Sequence, residues 1–104
     1  MSTIEIVKIR VFDHVTERDF IEANQQVCAF ANTQPGFKQR LLSKSDAEHE
    51  WIVIAEWESE RAAKQAKAAF AQSPQCDALK TMMDPSKSQV FYSDIVLKVP
   101  AQES

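Results

Sequence analysis

The chain has 104 residues, 44% of them hydrophobic and 26% charged, and a formal net charge of -3. That is the length and balance of one globular domain, 1–104, and the charge, with no basic cluster, argues against a nucleic-acid partner. One glycine in the whole chain excludes a P-loop or a dinucleotide fingerprint, each of which needs several.

The first residues, MSTIEIVKIR, hold no basic region followed by a long apolar run, so no secretory signal is expected. No apolar run approaches the length of a membrane span. The expected location is cytoplasmic, without a membrane partner. Cys28 and Cys76 lack CxxC spacing and are expected as free thiols, neither bridged nor bound to metal.

Thr3 to Phe12 alternates throughout, with Val7, Ile9 and Val11 on one face and Ile6, Lys8, Arg10 and Phe12 on the other, which predicts a strand. Thr16 is a candidate N-cap for a helix over 17–33, with Glu17 and Asp19 in its first turn. Phe20, Ala23, Val27, Phe30 and Ala31 recur at helical spacing on one side, and Pro35-Gly36 ends the helix. A polar strand over 37–44 suits a sheet edge, where its lysines discourage further pairing. The turn at 45–48 is too short for a crossover, so the next strand pairs with it as an antiparallel hairpin.

That next stretch, EWIVIAEWES over 50–59, is apolar on both parities and reads as a central strand. Ser59 caps a second helix whose thin stripe is Ala62, Ala63, Ala66, Ala69 and Phe70; Lys64 and Lys67 are expected to project outward. Pro74 ends it. A short helical piece over 75–83 carries Leu79, Met82 and Met83, Asp84-Pro85-Ser86 makes a turn, and a last strand is predicted over 89–99, closed by Pro100 before a short polar tail.

The order strand, helix, strand, strand, helix, strand is the ferredoxin-like split βαβ arrangement, βαββαβ. Right-handed crossovers put both helices on one side of a four-stranded antiparallel sheet, giving an α+β fold. The other side, expected to carry Ile6, Phe12, Leu42, Val90 and Val96, with Ile52 or Trp51, is a large apolar patch for a monomer. A homodimer through the sheet faces buries it.

Topology, length and the segment Trp57-Glu58-Ser59, followed by an Ala-rich helix and Ser73-Pro74, make residues 4–99 similar to the antibiotic biosynthesis monooxygenase (ABM) domain family. The resemblance implies a dimeric α+β barrel, a cavity between the sheet and the helices, and, in several members, cofactor-independent oxidation of aromatic phenols or quinols. Other members degrade haem. Many members carry a histidine in the second helix and another after a threonine-proline pair; aligning Ser73-Pro74 to that pair puts Phe70 and Gln75 at those places. The haem-degrading branch uses an asparagine on the first strand, and none stands between residues 3 and 13. No cofactor and no metal are therefore expected.

The residues that could carry chemistry are few. His14 and His49 stand at strand ends, where a surface position is the plain alternative; His14 has the better claim to a cavity rim. Lys8, Arg10, Arg40, Glu56, Tyr92 and Asp94 are polar residues in strands. Arg10 and Arg40 either pair with Glu56 and Asp94 inside a dimer interface or border a cavity and polarise a phenol or quinone oxygen. The catalytic candidates are His14, Arg10, Arg40 and Asp94. The substrate-binding candidates are Trp57, Phe70, Tyr92 and Met82, around a planar aromatic ligand. Against oxygenation stands a non-enzymatic reading, a dimeric ligand-binding or stress-related protein on the same fold. The alanines of the second helix either leave room for a ligand or let the helix approach the sheet.

Overall fold

The computed structural model describes residues 1–100. The chain runs through β1 (Thr3–Arg10), α1 (Glu17–Ala31), β2 (Phe37–Lys44), β3 (Glu50–Trp57), α2 (Glu60–Gln72), α3 (Asp77–Met82) and β4 (Gln89–Asp94), with single 3-10 turns at Pro74–Cys76 and Pro85–Lys87. The sheet order is β2-β3-β1-β4, and each neighbouring pair is antiparallel. The predicted α+β ferredoxin-like fold is thus the observed one, with β1 and β3 central and β2 at an edge.

Alternation in the central strands decides the layering. The register sets Val7 opposite Val53 and Ile9 opposite Trp51, and these four side chains pack under the helices. Phe20 of α1 is fully buried and tilts against Trp51, ring centroids 5.0 Å apart. Burying such a side chain contributes roughly 1.5–3 kcal/mol. Both long helices start at the expected caps: the Thr16 hydroxyl accepts from the amide of Asp19 at 3.1 Å, and the Ser59 hydroxyl from that of Ala62 at 3.1 Å. Such a cap contributes about 1 kcal/mol. Gly36, at φ +82°, turns the chain into β2, and its carbonyl accepts from the amide of Glu58 at 2.7 Å.

Two expectations are corrected here, and one open alternative is decided. The last strand stops at Asp94, because its partner runs out: Asp94 pairs with Thr3 at the start of β1, and beyond it one bond, Ile95 N–H to the Ser2 carbonyl at 2.8 Å, ends the ladder. Val96, Leu97 and Val99 are consequently exposed and unpaired; the polar tail after Pro100 lies outside the described residues. Leu42 and Val90 belong to the helix side, since they stand opposite Val53 and Val7. The uncovered face carries instead a row across all four strands, Leu41, Ile54, Ile6 and Phe91, of which Leu41 is 56% and Phe91 52% exposed. Ile52, not Trp51, adjoins that row, because Trp51 is buried under α1.

A bulge in β2 completes the frame. Phe37 pairs with Trp57 and Gln39 with Glu56, leaving Lys38 as the extra residue. Phe37 therefore shares the helix side with Arg40 and Leu42, against simple alternation. Its ring meets Trp57 edge-on at 5.3 Å.

Candidate functional site

The alanines of α2 do both of the things open to them. Ala63 is fully buried against Ala55 and Trp57 and brings the first turns of the helix close to the sheet. Ala66, one turn on, borders a cavity of about 180 Å³ between the sheet and the helices. Val27 and Phe30 of α1, Phe70 of α2, Leu79 of α3 and Met83 close it from above, and β1 and β3 floor it. Phe30 and Phe70 meet edge to face at 6.4 Å. Lys80 holds Phe70 from outside, its ammonium 5.3 Å above the ring and 3.1 Å from the Ala71 carbonyl at the end of α2.

One end of the cavity is polar. A single rung of the sheet sets Arg40, Ala55, Glu5 and Tyr92 side by side on β2, β3, β1 and β4. Glu5 Oε1 accepts from the indole Nε1 of Trp57 at 3.3 Å. Burial pushes the Glu5 carboxyl above the ordinary glutamate range, against the pull of that hydrogen bond and of the positive charges of Arg40 and Lys67. Tyr92 is pushed up as well, by burial and then by the charge of Glu5. Its buried hydroxyl makes no hydrogen bond of ordinary geometry. The Lys64 ammonium sits 5.5 Å above the Tyr92 ring.

Arg40 is half-buried in the wall. Its Nη1 lies 3.5 Å from the Cys28 sulfur. Lys67 is exposed and stands at the rim. Lys64 and Lys67 are both exposed, as expected, yet Lys64 reaches over the Tyr92 ring and Lys67 over the mouth of the cavity.

Of the residues singled out in the sequence, Arg40, Trp57 and Phe70 line this cavity, and Tyr92 stands beside it on the rung of Glu5. Met82 packs on the core, while Met83 is the methionine in the wall. His14 is outside, exposed and stacked on Phe12 with ring centroids 6.1 Å apart. Arg10 lies on the opposite face, across from Glu50. Asp94 accepts from the Thr3 hydroxyl at 2.8 Å, two rungs' length from the Glu5 side chain. Within one chain, among the described residues, no ion pair joins Arg10 or Arg40 to Glu56 or Asp94. Glu56, 6% exposed, is instead met by Lys98 at 3.3 Å, Lys38 at 3.8 Å and the Gln39 amide at 3.1 Å. Glu5 was missed by the sequence reading. Its signal was parity: it shares the face of Val7 and Ile9, which makes it a carboxylate on the apolar side of a central strand.

Cys28 and Cys76 are free thiols. Among the described residues, no three His, Cys, Asp or Glu side chains gather in a metal-binding group. No helix among them is long and apolar enough to cross a membrane.

The chain is a ferredoxin-like α+β domain with a cavity between its sheet and its helices. The structure is similar to that of SnoaB, a cofactor-independent oxygenase from Streptomyces nogalater, with a TM-score of 0.77 and 22% identity over 96% of this chain and 98% of that one. It is similar to a candidate antibiotic biosynthesis monooxygenase from Bordetella bronchiseptica, with a TM-score of 0.75 and 20% identity over 92% and 98% of the two chains. It also matches a dimeric ferredoxin-like protein of unknown function from Jannaschia sp. CCS1, with a TM-score of 0.67 and 13% identity over 91% and 100%. At these identities the likeness is one of fold. No protein-family model and no curated protein sequence matches the chain.

Proposed function

We propose that this protein is a cofactor-independent monooxygenase that oxidises a phenol or quinol held between sheet and helices. The observation that carries the reading is Glu5: a carboxyl in an otherwise largely apolar cavity, raised by burial and hydrogen-bonded to Trp57. A carboxylate of raised pKa is a better base than an exposed one. The likeness of fold to SnoaB, a cofactor-independent oxygenase, points the same way.

In this reading Glu5 takes the phenol proton. The phenolate gives one electron to dioxygen, and the resulting phenoxyl and superoxide radicals combine at a ring carbon. The O–O bond of that peroxide then breaks as the ring carbon loses its hydrogen. One dioxygen is consumed, and one quinone and one water leave. Arg40 stabilises the oxyanion as it develops, and the apolar wall keeps bulk water from the radical pair.

The protein acts as a cytoplasmic homodimer, with the Leu41-Ile54-Ile6-Phe91 row buried against a second copy. The dimeric neighbour and the exposure of that row support the dimer.

Oxygen-electrode measurements with hydroquinones test the reading. Glu5→Gln is expected to lower kcat by about 100-fold, within the span of general-base effects, while leaving ligand binding in place. Wild-type turnover that survives Glu5→Gln unchanged counts against it. A second reading, binding without turnover, is favoured by Phe70, which stands where the ABM family places a histidine; it is supported if ligands bind and no oxygen is consumed.

A further inference from the structure

The rung that holds Glu5 also holds a cation, and the two are separated by a gap of fixed width. Arg40 and Glu5 flank Ala55 on the two neighbouring strands. Strands lie about 4.8 Å apart, so the two backbones are separated by roughly 10 Å. Between them Ala55 offers only a methyl group. The floor of the cavity is therefore a shallow saddle, with a carboxyl on one side and a guanidinium on the other.

The charges do not cancel locally. Among the described residues no carboxylate lies within ion-pair distance of Arg40 or Lys67. Arg40 meets only the sulfur of Cys28, which leaves most of its five N–H donors free. Glu5 is the only acidic residue in the lining. A chain of net charge -3 thus carries a cavity with two cations, one half-buried in its wall and one exposed at its rim, against a single carboxyl. A half-buried cation such as Arg40 is costly without a partner, and an anion that reaches it is held strongly.

Volume sets the other limit. A cavity of about 150 Å³ takes one benzene molecule. The cavity here, about 180 Å³, takes one substituted ring and not three fused ones.

We propose that the ligand is a single-ring hydroxyaromatic acid, its hydroxyl directed to Glu5, its ring over Ala55 and its carboxylate paired with Arg40, with Lys67 at the rim drawing the anion in. This rests on the oxygenase reading only for the fate of the ring. Binding and turnover are separable.

Calorimetric titration under argon, with 3,4-dihydroxybenzoate and its methyl ester as probes, makes the test. The two differ by one charge and one methyl group. The acid is expected to bind at least tenfold more tightly than the ester, the preference shrinking as salt is raised. Arg40→Gln is expected to abolish the preference, and Lys67→Gln to reduce it. Equal or tighter binding of the ester by the wild-type protein overturns the proposal, whatever the variants do; so does tighter binding of a three-ring phenol. Oxygen uptake is then read separately. Acid-selective binding without oxygen consumption overturns the oxygenase reading and supports this one. Oxygen consumption with no preference for the acid does the reverse.

Discussion

The indole of Trp57 donates to the carboxylate of Glu5 at 3.3 Å, across 52 positions of sequence. The bond links the central strand β3 to the central strand β1 on the side that faces the helices. It fixes the direction of a carboxyl that burial otherwise leaves poorly solvated.

Glu5 makes stability depend on pH in a stated direction. Its folded pKa is raised, so the folded state holds the proton more tightly than the unfolded chain does. The stabilising contribution is complete below the ordinary glutamate value and is lost as pH rises through the raised one. Glu5→Gln, which removes the ionised form, is expected to melt higher than wild type at pH 8, with the gap closing toward pH 4. Thermal melts of both proteins across that range check it; a gap that widens on acidification contradicts the assignment.

The hydroxyl of Tyr92 is buried near the Glu5 carboxyl but makes no hydrogen bond of ordinary geometry. Removing an unsatisfied polar group costs nothing and relieves a desolvation penalty. Tyr92→Phe should leave the free energy of urea unfolding unchanged or raise it by up to about 1 kcal/mol. A loss greater than that means the hydroxyl has a partner.

At Gly36 a β-carbon would come within 2.8 Å of the Ala62 side chain and 3.3 Å of that of Glu58. The backbone there is also left-handed, φ +82°, which costs an L-residue about 1–2 kcal/mol before any clash. Gly36→Ala is expected to destabilise by at least about 2 kcal/mol, or roughly 10 °C in Tm for a domain of this size. Calorimetry gives the answer directly.

Ala66 borders the cavity from α2. Ala66→Leu places three further carbons into that space. It should keep the fold, since the void accepts them, and weaken binding of any aromatic ligand by more than tenfold. Circular dichroism with titration of one phenol separates the two effects; unchanged affinity would move the ligand elsewhere.

Ile54 lies 37% exposed at the centre of the outer row. Ile54→Lys should convert a species of twice 11.8 kDa to the monomer in sedimentation equilibrium, because a charge in an apolar interface is left unpaired. A wild-type protein that sediments as the monomer at micromolar concentration rules the dimer out.

The sequence made the elements legible because each carries its own local signal. The bounds of β2, the caps Thr16 and Ser59, the hairpin and the place of β2 at an edge all follow from residues near one another in the chain. Alternation, however, names two faces without saying which one meets the helices. Leu42 and Val90 were assigned outward for that reason, and the pairing with Val53 and Val7 turns them inward. The end of β4 was likewise not a local matter, since Ile95 to Val99 alternate well and stop pairing only because β1 begins at Thr3. The site suffered most. Histidine chemistry drew attention to His14, while Glu5 sat unremarked on the apolar parity of β1.

The extra residue in β2 governs the chemistry of the interior. Were the strand to run from Phe37 without its bulge, the pairing would slip by one, Gln39 would come to stand across from Ala55, and Arg40 would turn to the outer face. A chamber with a guanidinium in its wall would become one with an amide there, with no change in amino-acid composition. Insertions and deletions along this edge are thus a route by which relatives of one fold could trade acidic ligands for neutral ones, and a survey of such domains by bulge position, rather than by residue identity, would sort them by the charge of what they hold.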